Sequence, residues 1–127
     1  MITCLTEVPI FNRSVFFAGN CTSLEANAAV YDLNGQKTKV EFTPTALGCV
    51  THRGGDIFVW VKDLNQASVV AHELAHAAVS IMDICNIPLC SDTEELMCFL
   101  IGWLKINVQD RVYSKWEKQK KRTNKSR

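Results

Sequence analysis

At 127 residues, 47% hydrophobic and 21% charged, the chain has the size and composition of one globular domain. Wholly disordered, collagenous and coiled-coil classes are excluded by that composition. The net charge of +1 hides a division: residues from Lys115 to Arg127 carry +6, leaving −5 on residues 1–114. The expected organisation is one domain over 1–114 and a basic tail over 115–127. The tail reads as a solvated or helix-extending segment, with salt-sensitive binding to an anionic partner as its functional alternative.

The N-terminal residues lack a basic region ahead of an apolar stretch, and the longest uncharged apolar run, Leu96 to Leu104, is far short of a membrane span. The expectation is a cytoplasmic protein with no membrane partner. Its six cysteines are then expected as free, mostly buried thiols.

In chain order, Val8–Phe11 and Ser14–Ala18 read as short strands. Ser23 to Tyr31 leans to helix through Leu24, Glu25 and its alanines, with Thr22 or Ser23 as cap. Asn34-Gly35 marks a turn, and Lys39–Thr43 alternates like a half-buried strand. Gly54-Gly55 opens a clearer strand from Asp56 to Lys62, rich in β-branched and aromatic residues. Asp63 and Asn65 are candidate caps for a helix from about Gln66 to Asp83, which Asn86-Ile87-Pro88 ends. A second helix runs from about Asp92 to Tyr113 or beyond. Strands first and helices last predict an α+β fold.

The first of these helices carries His72-Glu73-Leu74-Ala75-His76. Histidines four apart share one helix face, so both imidazoles can reach one metal ion, and Glu73 can reach a water bound to it. Small uncharged neighbours (Val69 to Ala71, Ala77 to Val79) suit a buried helix whose polar groups have one purpose. Two ordinary core histidines are the competing explanation, but they leave Glu73 without a role. A catalytic zinc needs a third protein donor. The candidates are Glu94 and Glu95 at the start of the second helix. Ser91-x-x-Glu94 has the form of a capping box, which leaves Glu95 the freer of the two.

HELAH followed after eighteen residues by Glu95 resembles the gluzincin zinc metallopeptidases. The order of a tryptophan-bearing strand, an HExxH helix and a glutamate helix, across roughly residues 54–104, also resembles small HExxH proteins encoded by bacteriophages. The resemblance implies a minimal zincin-like domain, with a small sheet packed on the active-site helix and the glutamate helix. It implies Zn2+ held by His72, His76 and Glu95, with Glu73 as general base, hydrolysing a protein or peptide substrate. It implies that the strand before the helix, Phe58, Val59, Trp60 and Val61, pairs with that substrate. A phage origin would place the protein in the host cytoplasm or the virion. Phe99 stands where many gluzincins carry an aspartate that orients a histidine, with Asp83 or Asp92 as substitutes. Tyr113, Tyr31 and His52 are the candidates for stabilising the transition state. A non-catalytic phage structural or accessory protein that keeps the metal-binding fold is the alternative.

Overall fold

The computed structural model describes residues 1–125. It is an α+β domain: β1 (Ile2–Val8), β2 (Arg13–Gly19), α1 (Ser23–Leu33), β3 (Gly48–Arg53), β4 (Asp56–Val61), α2 (Ala67–Ile84), α3 (Glu94–Leu104) and α4 (Arg111–Lys125). The strands form one mixed sheet in the order β1-β2-β4-β3. β1 with β2 and β3 with β4 are antiparallel, while β2 and β4 are parallel. Among the described residues no helix is long and apolar enough to cross a membrane.

Each face of the sheet has its own core. On one face α1 covers Phe16, Ala18, Phe58 and Trp60, joined by Val40 and Phe42 from the loop before β3. The Phe16 and Phe58 rings stack at 5.2 Å, and Trp60 Nε1 donates to Cys21 O at 2.9 Å. On the other face Val15, Phe17, Ile57, Val59 and Val61 meet α2, α3 and α4. The stripe Val70, Leu74, Ala77, Ile81 keeps helical spacing and fixes how α2 lies on the sheet. Leu74→Ala would cost about 2–5 kcal/mol by the cavity it leaves.

Thr22 caps α1 in a full capping box with Glu25. The β3–β4 hairpin turns on Gly54 and Gly55, at φ +60° and +84°, a conformation that side chains with a Cβ resist. Asp63 and Asn65 do not cap α2. Gln66 holds that position without a side-chain bond, and Asp63 instead accepts from the backbone of Asn65.

α3 and α4 are joined without a break by a π-helical stretch, Lys105–Asp110. Leu100, Leu104, Val108 and Val112 are all buried at four-residue intervals. In an α-helix that spacing drifts about 40° per step. The wider π turn takes up the drift and keeps the four residues on the sheet. The boundary expected after residue 114 falls inside α4. Trp116 packs against the core beyond it, and Lys115 Nζ donates to Thr3 O at 2.8 Å. Residues 126–127 of the expected tail lie outside the described residues. Of the six thiols, all free, only Cys4 and Cys21 are buried; Cys90 and Cys98 are exposed.

Candidate metal centre and its cleft

Because α2 buries its Val70–Ile81 stripe, the neighbouring face is turned outward. His72 and His76 stand there, exposed to solvent, while Glu73 between them is turned inward and is 8% exposed. The two imidazole Nε2 atoms approach to 3.1 Å with ring planes 77° apart. Nitrogens on a tetrahedral zinc, each about 2.0–2.1 Å from the ion, stand within a few tenths of an ångström of that separation. Without metal the same contact is a hydrogen bond whose donor is set by the ring tautomers. The pair therefore fits two corners of a zinc site.

The third corner is not assembled. Among the described residues no group of three His, Cys, Asp or Glu side chains could hold a metal ion. Glu94 and Glu95 are both exposed in the first turn of α3. The capping box expected between Ser91 and Glu94 does not form. Thr93 does the local work instead, accepting from Cys90 N at 3.1 Å and donating to Pro88 O across a single 3-10 turn. The ground for preferring Glu95 to Glu94 thus disappears, and both acids are equally free of the cap.

The Glu73 carboxylate accepts no hydrogen bond among the described residues. Burial pushes its pKa up, and the nearby His76 and His72 oppose that. Its side chain leans on Gly48, the first residue of β3. A Cβ built on Gly48 would lie 2.8 Å from Glu73 Cγ and 3.2 Å from Cδ. Leu47, Gly48, Ser68, Val69, His72 and Glu73 line a cleft of about 460 Å³. The sequence reading missed Gly48 altogether. A lone glycine between Leu47 and Cys49 carries no signal until the fold brings a helix against it.

The strand expected to pair with substrate is not the one at the cleft. Phe58, Val59, Trp60 and Val61 belong to β4, which is hydrogen-bonded to β2 on one side and β3 on the other. The free edge belongs to β3. Leu47 O accepts from Lys62 N, so alternation turns the backbone groups of Gly48, Val50 and His52 outward. No backbone hydrogen bond reaches that edge among the described residues.

The expected transition-state stabilisers are engaged elsewhere. Tyr113 donates to Leu64 O at 2.6 Å, which ties α4 to the loop before α2. Tyr31 lies on α1, across the sheet from α2, with Lys39 over its ring. His52 faces Asp83 at 3.8 Å, near the far end of α2, and the two help line a separate cleft of about 270 Å³. Asp83 is therefore the neighbour of His52 and orients neither motif histidine. Asp92 lies exposed in the 3-10 turn.

Compared with known proteins, the chain matches no family model, no curated protein and no solved structure.

Proposed function

We propose that this chain is a zinc-dependent metallopeptidase on a minimal zincin-like domain, with His72 and His76 as two of the metal ligands. The observation that carries this reading is the pair of imidazoles converging at 3.1 Å beside a desolvated carboxylate, with His72 and Glu73 lining a cleft open to the edge of a sheet. Glu95, which the resemblance implies, or Glu94 beside it is the proposed third donor, and the fold gives neither an advantage. Both stand at the head of a helix packed on α2. A bound ion would supply an acidified water and polarise the scissile carbonyl.

The chain's own residues supply the rest. Glu73 accepts the proton of the attacking water and hands it to the leaving amine. The outward backbone groups of Gly48, Val50 and His52 offer a ladder to an extended peptide. Glu73 must be ionised to act, and burial raises its pKa. In the metal-free protein Glu73 should therefore take up its proton at a higher pH than an ordinary glutamate, and bound zinc should oppose that rise.

The test is cleavage of casein by the zinc-loaded protein and by Glu73→Gln. The amide cannot take a proton, so a loss of about two to four orders of magnitude is expected, with zinc retained. Equal cleavage by the two proteins would sink the assignment of Glu73. The incomplete donor set favours one other reading, a non-catalytic protein that keeps a metal-binding fold. No cleavage by the wild type at full zinc occupancy would select it.

A further inference from the structure

We infer that Gly48 is a positioning residue: its missing side chain is the slot in which the Glu73 side chain is held against the open edge of β3. This rests on the reading of Glu73 as the base. Three contacts define the slot. A Cβ on Gly48 would meet Glu73 Cγ at 2.8 Å, Trp60 O at 3.0 Å and Glu73 Cδ at 3.2 Å. The first lies below any distance that a real Cβ tolerates. The second is backbone of an interior strand, so Gly48 cannot retreat toward β4. Any added side chain must therefore displace Glu73.

Conformational freedom does not explain the glycine. The glycines whose φ is positive are Gly35, Gly54 and Gly55, and Gly48 is not among them. It sits in ordinary strand geometry, where alanine is accepted by the backbone. What it provides is closeness.

That closeness joins two parts of the proposed site. The Cα on which Glu73 leans belongs to the residue whose outward N–H and C=O begin the free edge. Base and peptide ladder are thereby set against each other through one residue. Moving the carboxylate by about an ångström is the kind of error that costs about a hundredfold in rate while leaving binding largely in place. Neither His72 nor His76 supplies any of the three atoms nearest a Cβ on Gly48, so the metal pair should be little disturbed by the change.

The experiment is a double-mutant cycle on the full chain, using Gly48→Ala, Glu73→Ala and the two combined. Thermal melting of the metal-free proteins is the first readout. Gly48→Ala should lower Tm by about 5 °C or more, the usual scale of overpacking in a domain this size. In the Glu73→Ala background, where the Cγ and Cδ atoms are gone, most of that loss should vanish. Gly48→Ala folding only when Glu73 is also truncated would support the slot as well. An equal loss in both backgrounds, failure to fold in both, or no loss in either would overturn it. The second readout uses zinc-loaded protein and casein: kcat should fall about ten- to a hundredfold in Gly48→Ala, with KM and zinc stoichiometry little changed. A rise in KM at constant kcat would overturn the positioning role. The melting arm needs no hydrolysis, so an inactive wild type would defeat the peptidase reading and leave the slot to be judged on stability alone.

Discussion

At one edge of the sheet, α4 lays two cations across β1: Arg111 donates to Leu5 O at 3.1 Å and Lys115 to Thr3 O at 2.8 Å. At the other edge, Gly48, Val50 and His52 turn their backbone groups outward and meet no backbone partner among the described residues. A bare edge invites pairing with another chain, and proteins ordinarily cover, charge or shorten it. Here the edge far from the histidines is covered, and the edge beside them is open. On the proposed reading, that difference gives β1 a role in stability and β3 a role in meeting an extended chain.

The largest effect should come from removing what the open edge serves. His76→Ala takes away one of the two converging imidazoles, leaving no chelating pair on α2. Zinc, measured by atomic absorption after dialysis, should fall from one per chain to nearly none, and casein cleavage should vanish with it. Stoichiometric zinc in that variant would mean that the metal is held elsewhere, and the contrast between the edges would lose its explanation.

Next in size is a direct attack on the open edge. Val50→Pro deletes an outward N–H that has no partner among the described residues, so the sheet loses no ladder bond. A paired peptide loses one. Cleavage efficiency should drop about three- to tenfold, the worth of one hydrogen bond, and Tm should also fall because Val50 packs against the core. A variant that cleaves as well as the wild type would remove β3 from substrate binding.

The contrast between edges also marks where the sequence was legible. α2 and β4 were readable to within a residue at their starts, because long apolar-periodic and β-branched runs report burial directly. The α+β class and the His72–Glu73–His76 cluster were equally plain. β3 was not, since Gly-Cys-Val-Thr-His-Arg is an edge strand only half-buried on either face, with no long apolar run. The alternation over Lys39–Thr43 was real: Val40 and Phe42 are buried. Yet the segment is a loop that plugs the α1 face, because alternation records burial and says nothing of a ladder partner. β1 was overlooked in favour of Val8–Phe11, where Pro9 and the positive φ of Ile10 and Asn12 make a turn. The donor set suffered in the same way. Residues four apart on one helix are fixed by helix geometry. A third ligand from another helix depends on a packing that sequence spacing does not specify.

On the covered edge the expected effects are smaller and fall on stability. Arg111→Ala combined with Lys115→Ala exposes the carbonyls of Thr3 and Leu5 to water rather than burying them unpaired. The loss should therefore be about 1–2 kcal/mol, a few degrees in Tm, with a greater tendency to aggregate on heating. Casein cleavage at 25 °C should stay as in the wild type. A variant that loses activity but not stability would show that the two edges are not separate in function.

The smallest effect should follow from cutting the chain after Glu117. The cut leaves Arg111, Lys115 and Trp116 in place, so the cover over β1 survives. What goes is Lys120, which lies 3.7 Å from the centre of the Trp116 ring and pairs with Glu117 at 3.2 Å. Both contacts are at the surface, where a cation–π contact is worth about 0.5–1 kcal/mol and an ion pair less. Lys118, Gln119 and Arg122 also leave the shallow cleft that they line with Met1, Ile2 and Thr3. No aliphatic or aromatic side chain is removed, so little apolar burial is lost to set against the entropy released. Tm should fall by no more than a few degrees and zinc should be retained. The cut deletes six of the seven cations from Lys115 onward. Any binding to a polyanion such as heparin should therefore weaken, and the remainder should depend less on salt. A truncated chain that is insoluble or fails to melt cooperatively would move the edge of the domain from Trp116 toward the end of α4.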